Sequence, residues 1–233
     1  MATQNYDYRQ LVRAELLDLS HFLHTLNKAE WEEPTLCEGW RVRHIVGHFV
    51  VGYSLPLPKV LWILAFQYHF NLPRAAHEIS TRYGEEHSPE KLLTEFDRWT
   101  QAKKHTGMAT IGPMEEHFLD HVIHHWDITI PMGRPRQLPP ERKLAALDAI
   151  VETAGKTGIA PVRRFVKGLS IKATDIDWQW GEGSEIKGET QNLILALTGR
   201  REPLEKLEGA GVEILRQRLA TEWWKQAAPV TVS

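Results

Sequence analysis

The stretch Pro113–Gly133, PMEEHFLDHVIHHWDITIPMG, decides how the chain is read. Gly112 and Pro113 suit a helix start, because proline is tolerated at the first helical position. Glu115 and Glu116 follow in the first turn, where the helix dipole favours negative charge. Pro131 and Gly133 mark the stop. Met114, Phe118, Val122, Trp126 and Ile130 recur every fourth residue, and Leu119 and Ile123 widen that stripe. The remaining face carries Asp120, His124 and Asp127 within roughly 60° of arc at 3.6 residues per turn. His117, His121 and His125 stand beside them. Side chains one turn apart lie on one face, so Asp120 and His124 can aim at a common divalent ion. Spacing alone does not choose, since His117/His121 and His121/His125 share it and a histidine-rich face is often simply solvated.

Working outward, 233 residues hold one large domain or two small ones. With 42% apolar and 25% charged residues, the composition is that of a soluble globular protein. Lys and Arg number 28 against 30 acidic residues, which leaves no nucleic-acid footprint. The polar start MATQNYDYRQ lacks an apolar core, so no signal peptide is expected. The single cysteine, Cys37, excludes an internal disulfide and a cysteine-only metal site, and it fits a reducing cytoplasm. No glycine-rich phosphate loop and no G-x-S-x-G elbow occurs. The most apolar run, Leu55–Phe70, is shorter than the roughly 20 residues of a membrane span. It reads as a buried helix; an apolar substrate wall or a subunit interface, which leaves a homodimer open, is the second reading.

A first helix is expected over 7–26, with a core stripe of Leu11, Ala14, Leu17 and Leu26 widened by Leu16, Leu19 and Leu23. Asn27–Trp40 is broken by Pro34 and Gly39. A second helix begins near Arg41, where Val42, Ile45, Val46, Phe49, Val50 and Tyr53 match the amphipathic template. His48 lies at the edge of that stripe. Pro73–Arg82 is a short helical piece. Ser88-Pro89-Glu90 caps a helix running to about His105. Another helix spans Pro140 to about Ala154. Near residue 160 the pattern changes: Gly168–Trp180 is rich in strand formers, Gly181–Ser184 a turn, and Glu185–Gly188 a short returning strand. Gln191–Thr198 and Gly211–Trp224 are helical.

Several of these motifs together resemble the mycothiol-dependent maleylpyruvate isomerase family of the DinB-like superfamily. WEEPTLCEGWRVRHIVGHF matches its N-terminal signature through Trp31, Pro34, Thr35, Leu36, Cys37, Gly39, Trp40 and His48. Asp120, His124 and Asp127 match its central helix, and GLSIKATDIDWQWGEG with LILALTGR is similar to its small C-terminal domain. The resemblance implies a mainly α fold: a DinB-like four-helix bundle over 1–158, a small α+β domain over 159–224 and a flexible tail over 225–233. It implies His48, Asp120 and His124 as metal ligands, with Asp127 and His121 in supporting positions. One position departs, because the family's isomerase has glutamate where this chain has Asp120. Aspartate is one methylene shorter, so an ion would sit closer to the helix or the site is retuned.

Two imidazoles and one carboxylate leave coordination positions open, as in catalytic zinc sites; facial non-haem iron uses the same set. The resemblance implies zinc. An open position lowers the pKa of water or a thiol. Cys37 looks structural in the signature, so a catalytic sulfur would come from a small thiol cofactor, mycothiol in this family. The expected function is metal-dependent isomerisation or S-transfer on a small electrophile. Arg200 and Arg82, with Arg134, Arg136 and Arg201, are the candidates for anion binding; Arg200 leads because it closes the LTGR helix. The alternative is a non-enzymatic protein binding an apolar small molecule along a Trp62/Phe66/Tyr68 wall. A metal-hydroxide hydrolase is the weaker third reading, since no H-E-x-x-H motif occurs. No nucleic-acid or membrane partner is expected.

Overall fold

The computed structural model describes residues 5–102, 106–107, 111–153 and 162–220. The boundary at 158/159 and the tail 225–233 lie outside the described residues. The ten helices in this range are α1 (Tyr8–Leu23), α2 (Val42–Ser54), α3 (Leu57–Phe66), α4 (Leu72–Glu86), α5 (Pro89–Gln101), α6 (Met114–Thr129), α7 (Pro140–Thr153), α8 (Val162–Val166), α9 (Thr190–Leu197) and α10 (Gly211–Ala220). Three strands are added late in the chain: β1 (Leu169–Ala173), β2 (Gln179–Gly181) and β3 (Ser184–Gly188). The architecture is thus mainly α, a helical front part followed by a small α+β part, as the sequence led one to expect. By contacts the chain falls into two compact units, one of the described residues in Met1–Leu11, Met114–Ile123 and Gln137–Glu222, the other of those in Val12–Pro113 and His124–Arg136. Helices α1 and α6 run through both.

In the second of these units α2 is central. Its six expected stripe residues are all buried, Val42, Ile45, Val46 and Val50 completely. It crosses α4 at two glycines. A Cβ on Gly47 would meet the Ser80 carbonyl at 2.9 Å, and one on Gly84 the Arg43 carbonyl at 2.9 Å. At Gly84 the His44 ring packs in as well, its Cδ2 2.8 Å from where a Cβ would stand. Arg43 ties the crossing, donating from Nε to the Gly84 carbonyl and from Nη2 to that of His87, both at 2.8 Å. Ser88 caps α5 as expected, accepting from Lys91 N (3.3 Å), and Leu92 and Phe96 are buried beneath it.

Two expectations fail in this unit. The buried stripe of α1 is Leu11, Val12, Leu16, Leu19 and Leu23, whereas Leu17 is 40% exposed. The reason is Glu15: it is fully buried in an ion pair with Arg136, which turns the helix about its axis relative to a purely apolar reading. The aromatic run is not a buried helix either. In α3 only Val60, Ile63 and Leu64 are buried, while Leu61, Trp62 and Phe66 are exposed, as is Phe70 beyond the helix. Ten residues offer one face to a small cluster with Ala75, Tyr68 and Ile79, and the other face is exposed. Among the described residues no single helix is long and apolar enough to cross a membrane; α2 and α3 together would be, but are bent by 115°.

In the other unit the sheet has the order β2-β1-β3. β2 runs antiparallel to β1, with Ile171 opposite Trp180, and β3 runs parallel to it, with Ile171 opposite Ile186. The returning strand therefore does not close a hairpin on its predecessor. The turn crosses over the start of β1, which requires backbone contact: a Cβ on Gly183 (φ +127°) would lie 2.2 Å from the Gly168 carbonyl. Leu169, Ile171 and Ala173 point alternately into the core, where α9 buries Leu193 through Leu197.

Asp175 fastens this unit. It accepts from the Thr190 backbone N and hydroxyl, both at 2.8 Å, and from Lys143 Nζ at 2.7 Å. Burial pushes its carboxyl up, but the bonds from Lys143 and Thr190 outweigh this and hold it below its ordinary value. A depressed carboxylate stabilises the fold above its unfolded pKa, and that contribution fades as pH falls through the folded one. Asp175→Asn is therefore expected to cost about 1–3 kcal/mol at neutral pH. The gap in melting temperature from wild type should close below about pH 4. A gap that persists undiminished at pH 3 would refute the charge argument.

Candidate metal centre

Helix α6 is enclosed on every side in its second half: His121 through Thr129 are all buried. Polar groups in such a position need partners. Asp127, with no exposed surface, meets His124 Nδ1 through Oδ2 at 2.9 Å. An ionised carboxylate only accepts, so with Asp127 charged Nδ1 would carry the proton and Nε2 would be the ligand atom. The Asp127 carbonyl accepts from Leu36 N at 3.0 Å, which fixes the loop before α2 against α6.

His48 of α2 meets this helix. Its ring centroid lies 5.2 Å from that of His124, edge-on at 66°. One ligand atom each from His48, Asp120 and His124 fall within 4.8 Å of one another. The close α2–α4 crossing places the buried Ser80 hydroxyl 3.4 Å from His48 Nδ1. Trp40 covers the pair, its ring 5.4 Å from His48 and 5.7 Å from His124. Phe49 stands at 5.6 and 5.8 Å from the same two rings. His77 stacks on Trp40 at 5.8 Å, and burial pushes its pKa down.

The donor set fits a divalent ion: two imidazole nitrogens and a carboxylate oxygen converge, and Asp127 holds the His124 ring in orientation. The chemistry open to such a set is Lewis-acid activation of a small molecule. Thus His48, Asp120, His124 and Asp127 are gathered in one place. His121 and His125 are buried, at 3% exposure each, so neither is a surface residue; His121 Nδ1 bonds the His117 carbonyl of its own helix. Arg82 is exposed on α4, and Arg200 donates to the Thr198 carbonyl (3.1 Å) at the end of α9. Arg134 and Arg136 are engaged with Glu30 and Glu15, and Arg201 donates to the Leu219 carbonyl at 3.2 Å.

Sequence reading missed Ser80 and His77. A signal existed: Ser80 and Gly84 are small residues one turn apart on α4, a pattern that lets another backbone approach, here Gly47 of α2.

The sequence profile of the mycothiol maleylpyruvate isomerase N-terminal domain matches residues 12–129, more than half of the chain and inclusive of all four clustered residues. Two solved structures have a similar fold. A crystal structure of the mycothiol-dependent maleylpyruvate isomerase aligns with a TM-score of 0.55 at 14% identity, over 88% of this chain and 92% of that one. A histidine-to-alanine mutant of that enzyme aligns with a TM-score of 0.56, with the same identity and coverage. At this identity the likeness concerns the fold. No curated protein matches the chain.

Proposed function

This chain belongs to the mycothiol maleylpyruvate isomerase family, and from that premise we propose that it is a metal-dependent enzyme that uses a low-molecular-weight thiol of the mycothiol type on a small electrophile. The reaction is isomerisation or S-transfer. The observation that carries this reading is the convergence of His48, Asp120 and His124 ligand atoms within 4.8 Å. These three residues would hold the ion, zinc by family. Bound there, a divalent ion supplies Lewis acidity that makes a thiol available as thiolate near neutral pH.

The protein's own groups do the rest. Asp127 orients the His124 ring. Ser80 steadies His48 from behind. Trp40 and Phe49 wall the imidazoles with aromatic surface and keep water from one side. The Trp40 Nε1–H is buried without a hydrogen-bond partner. A buried donor left unmatched costs about 1–3 kcal/mol, so an acceptor atom on thiol or substrate gains by meeting it. Cys37 is the only cysteine, so the reacting sulfur comes from the small thiol. The apolar-carrier alternative has less support, because Trp62 and Phe66 pack on each other at exposed positions.

The test is metal analysis of purified protein together with a thiol-plus-electrophile assay on wild type and Asp120→Ala. Wild type should carry about one divalent ion per chain and convert the electrophile only with thiol present, and Asp120→Ala should lose both properties. Wild type without turnover above the Asp120→Ala level would sink the proposal.

A further inference from the structure

We propose that Cys37, His124 and Asp127 form a second, inhibitory site for a thiophilic divalent ion, which competes with the first by taking His124. That it inhibits rests on the proposed role of His48, Asp120 and His124; that it binds does not. One ligand atom from each of the three residues falls within 4.8 Å of the others. The set is a thiol, an imidazole and a carboxylate, whose soft sulfur selects ions such as cadmium or excess zinc over magnesium or calcium.

The placement is built into the fold. A bridge between Pro34 and Arg41 closes the loop that carries Cys37. Leu36 N donates to the Asp127 carbonyl at 3.0 Å, so the neighbouring thiol arrives beside Asp127 and His124. The Cys37 backbone holds the turn. Cys37 N donates to Thr35 Oγ1 at 3.2 Å, and its carbonyl accepts from Trp40 N at 2.9 Å. Serine at this position would keep these backbone bonds. Cys37 is also partly exposed, so an ion can reach it.

The two sites exclude each other. A neutral imidazole has one free lone pair, so His124 serves one ion at a time whichever nitrogen is used. Occupation of the second site also takes Asp127 from its task of orienting His124. Binding breaks the Cys37 S–H bond, forms a sulfur–metal bond and releases the proton to solvent, with no change of oxidation state.

The experiment is titration of full-length protein with cadmium, followed by thiolate-to-metal charge-transfer absorption in the ultraviolet, on wild type, Cys37→Ser, Asp127→Asn and His48→Ala. Wild type and His48→Ala should both show the band. Cys37→Ser should lack it, and Asp127→Asn should bind cadmium more weakly by more than about tenfold, the least that a lost ligand-sphere partner commonly costs. Turnover of Cys37→Ser should match wild type without added cadmium and resist cadmium that inhibits wild type. No band in wild type, or a band that survives in Cys37→Ser, overturns the second site. A band lost in His48→Ala shows a single shared site and overturns it too. Failure of the function proposed above would appear instead as absent turnover, with the cadmium band intact.

Discussion

Replacing His124 by alanine is expected to remove tightly bound divalent metal and lower thiol-dependent turnover by about a thousandfold or more. The size follows from what the ion supplies: several kcal/mol of charge stabilisation, at about 1.4 kcal/mol per factor of ten. His124 is the residue on which the site turns. It shares the convergent group with His48 and Asp120, and its Nδ1 is bound to the buried Asp127. Its removal also strands that carboxylate in the interior, so some loss of stability is expected. The control is His121→Ala. His121 is as deeply buried on the same helix, yet it is not in the group of convergent ligand atoms. Both variants should melt earlier than wild type, but only His124→Ala should lose metal by elemental analysis. Equal metal loss in the two would mean that the ion, or the measured loss, reports helix packing and not ligation.

How far the sequence reached is clearest in particular elements. α2 was legible because its six apolar residues are all buried and match one period. Helical spacing put Asp120, His124 and Asp127 near one face but did not separate them from His117, His121 and His125; family resemblance chose among them and pointed to His48. Where reading failed, a tertiary partner had overridden a local rule. Glu15 lies inside because Arg136, more than a hundred residues away, neutralises it. α3 is as apolar as a core helix, but among the described residues no second layer covers Leu61, Trp62 and Phe66. The β3 register could not be read, since its partner choice depends on Gly183 passing over the Gly168 carbonyl. Ser80 was invisible because its relation to His48 exists only through the α2–α4 crossing.

That crossing yields the second large effect. Gly47→Ala should lower stability by about 1–3 kcal/mol, the usual cost of overpacking. At this chain length that is about 2–10 °C in melting temperature. The sign is not the default one. Within a helix, alanine for glycine ordinarily gains up to about 1 kcal/mol from propensity. At Gly47 a new Cβ would meet the Ser80 carbonyl at 2.9 Å and Gly84 N at 3.1 Å. These are backbone atoms of a helix, so no rotamer change gives relief, and α4 must move away from α2. The same substitution at Gly52, one and a half turns on, meets nothing within 4 Å and should raise the melting temperature. The two variants share helix, residue type and propensity gain, so their difference isolates the crossing. The movement has a second consequence. It draws the Ser80 hydroxyl from His48 Nδ1, already 3.4 Å away, and releases the ring it steadies. Metal affinity of Gly47→Ala should therefore fall by about tenfold, while that of Gly52→Ala stays at the wild-type level. A Gly47→Ala protein as stable as Gly52→Ala would show that the helices separate without cost, and the site could not then owe its geometry to their contact.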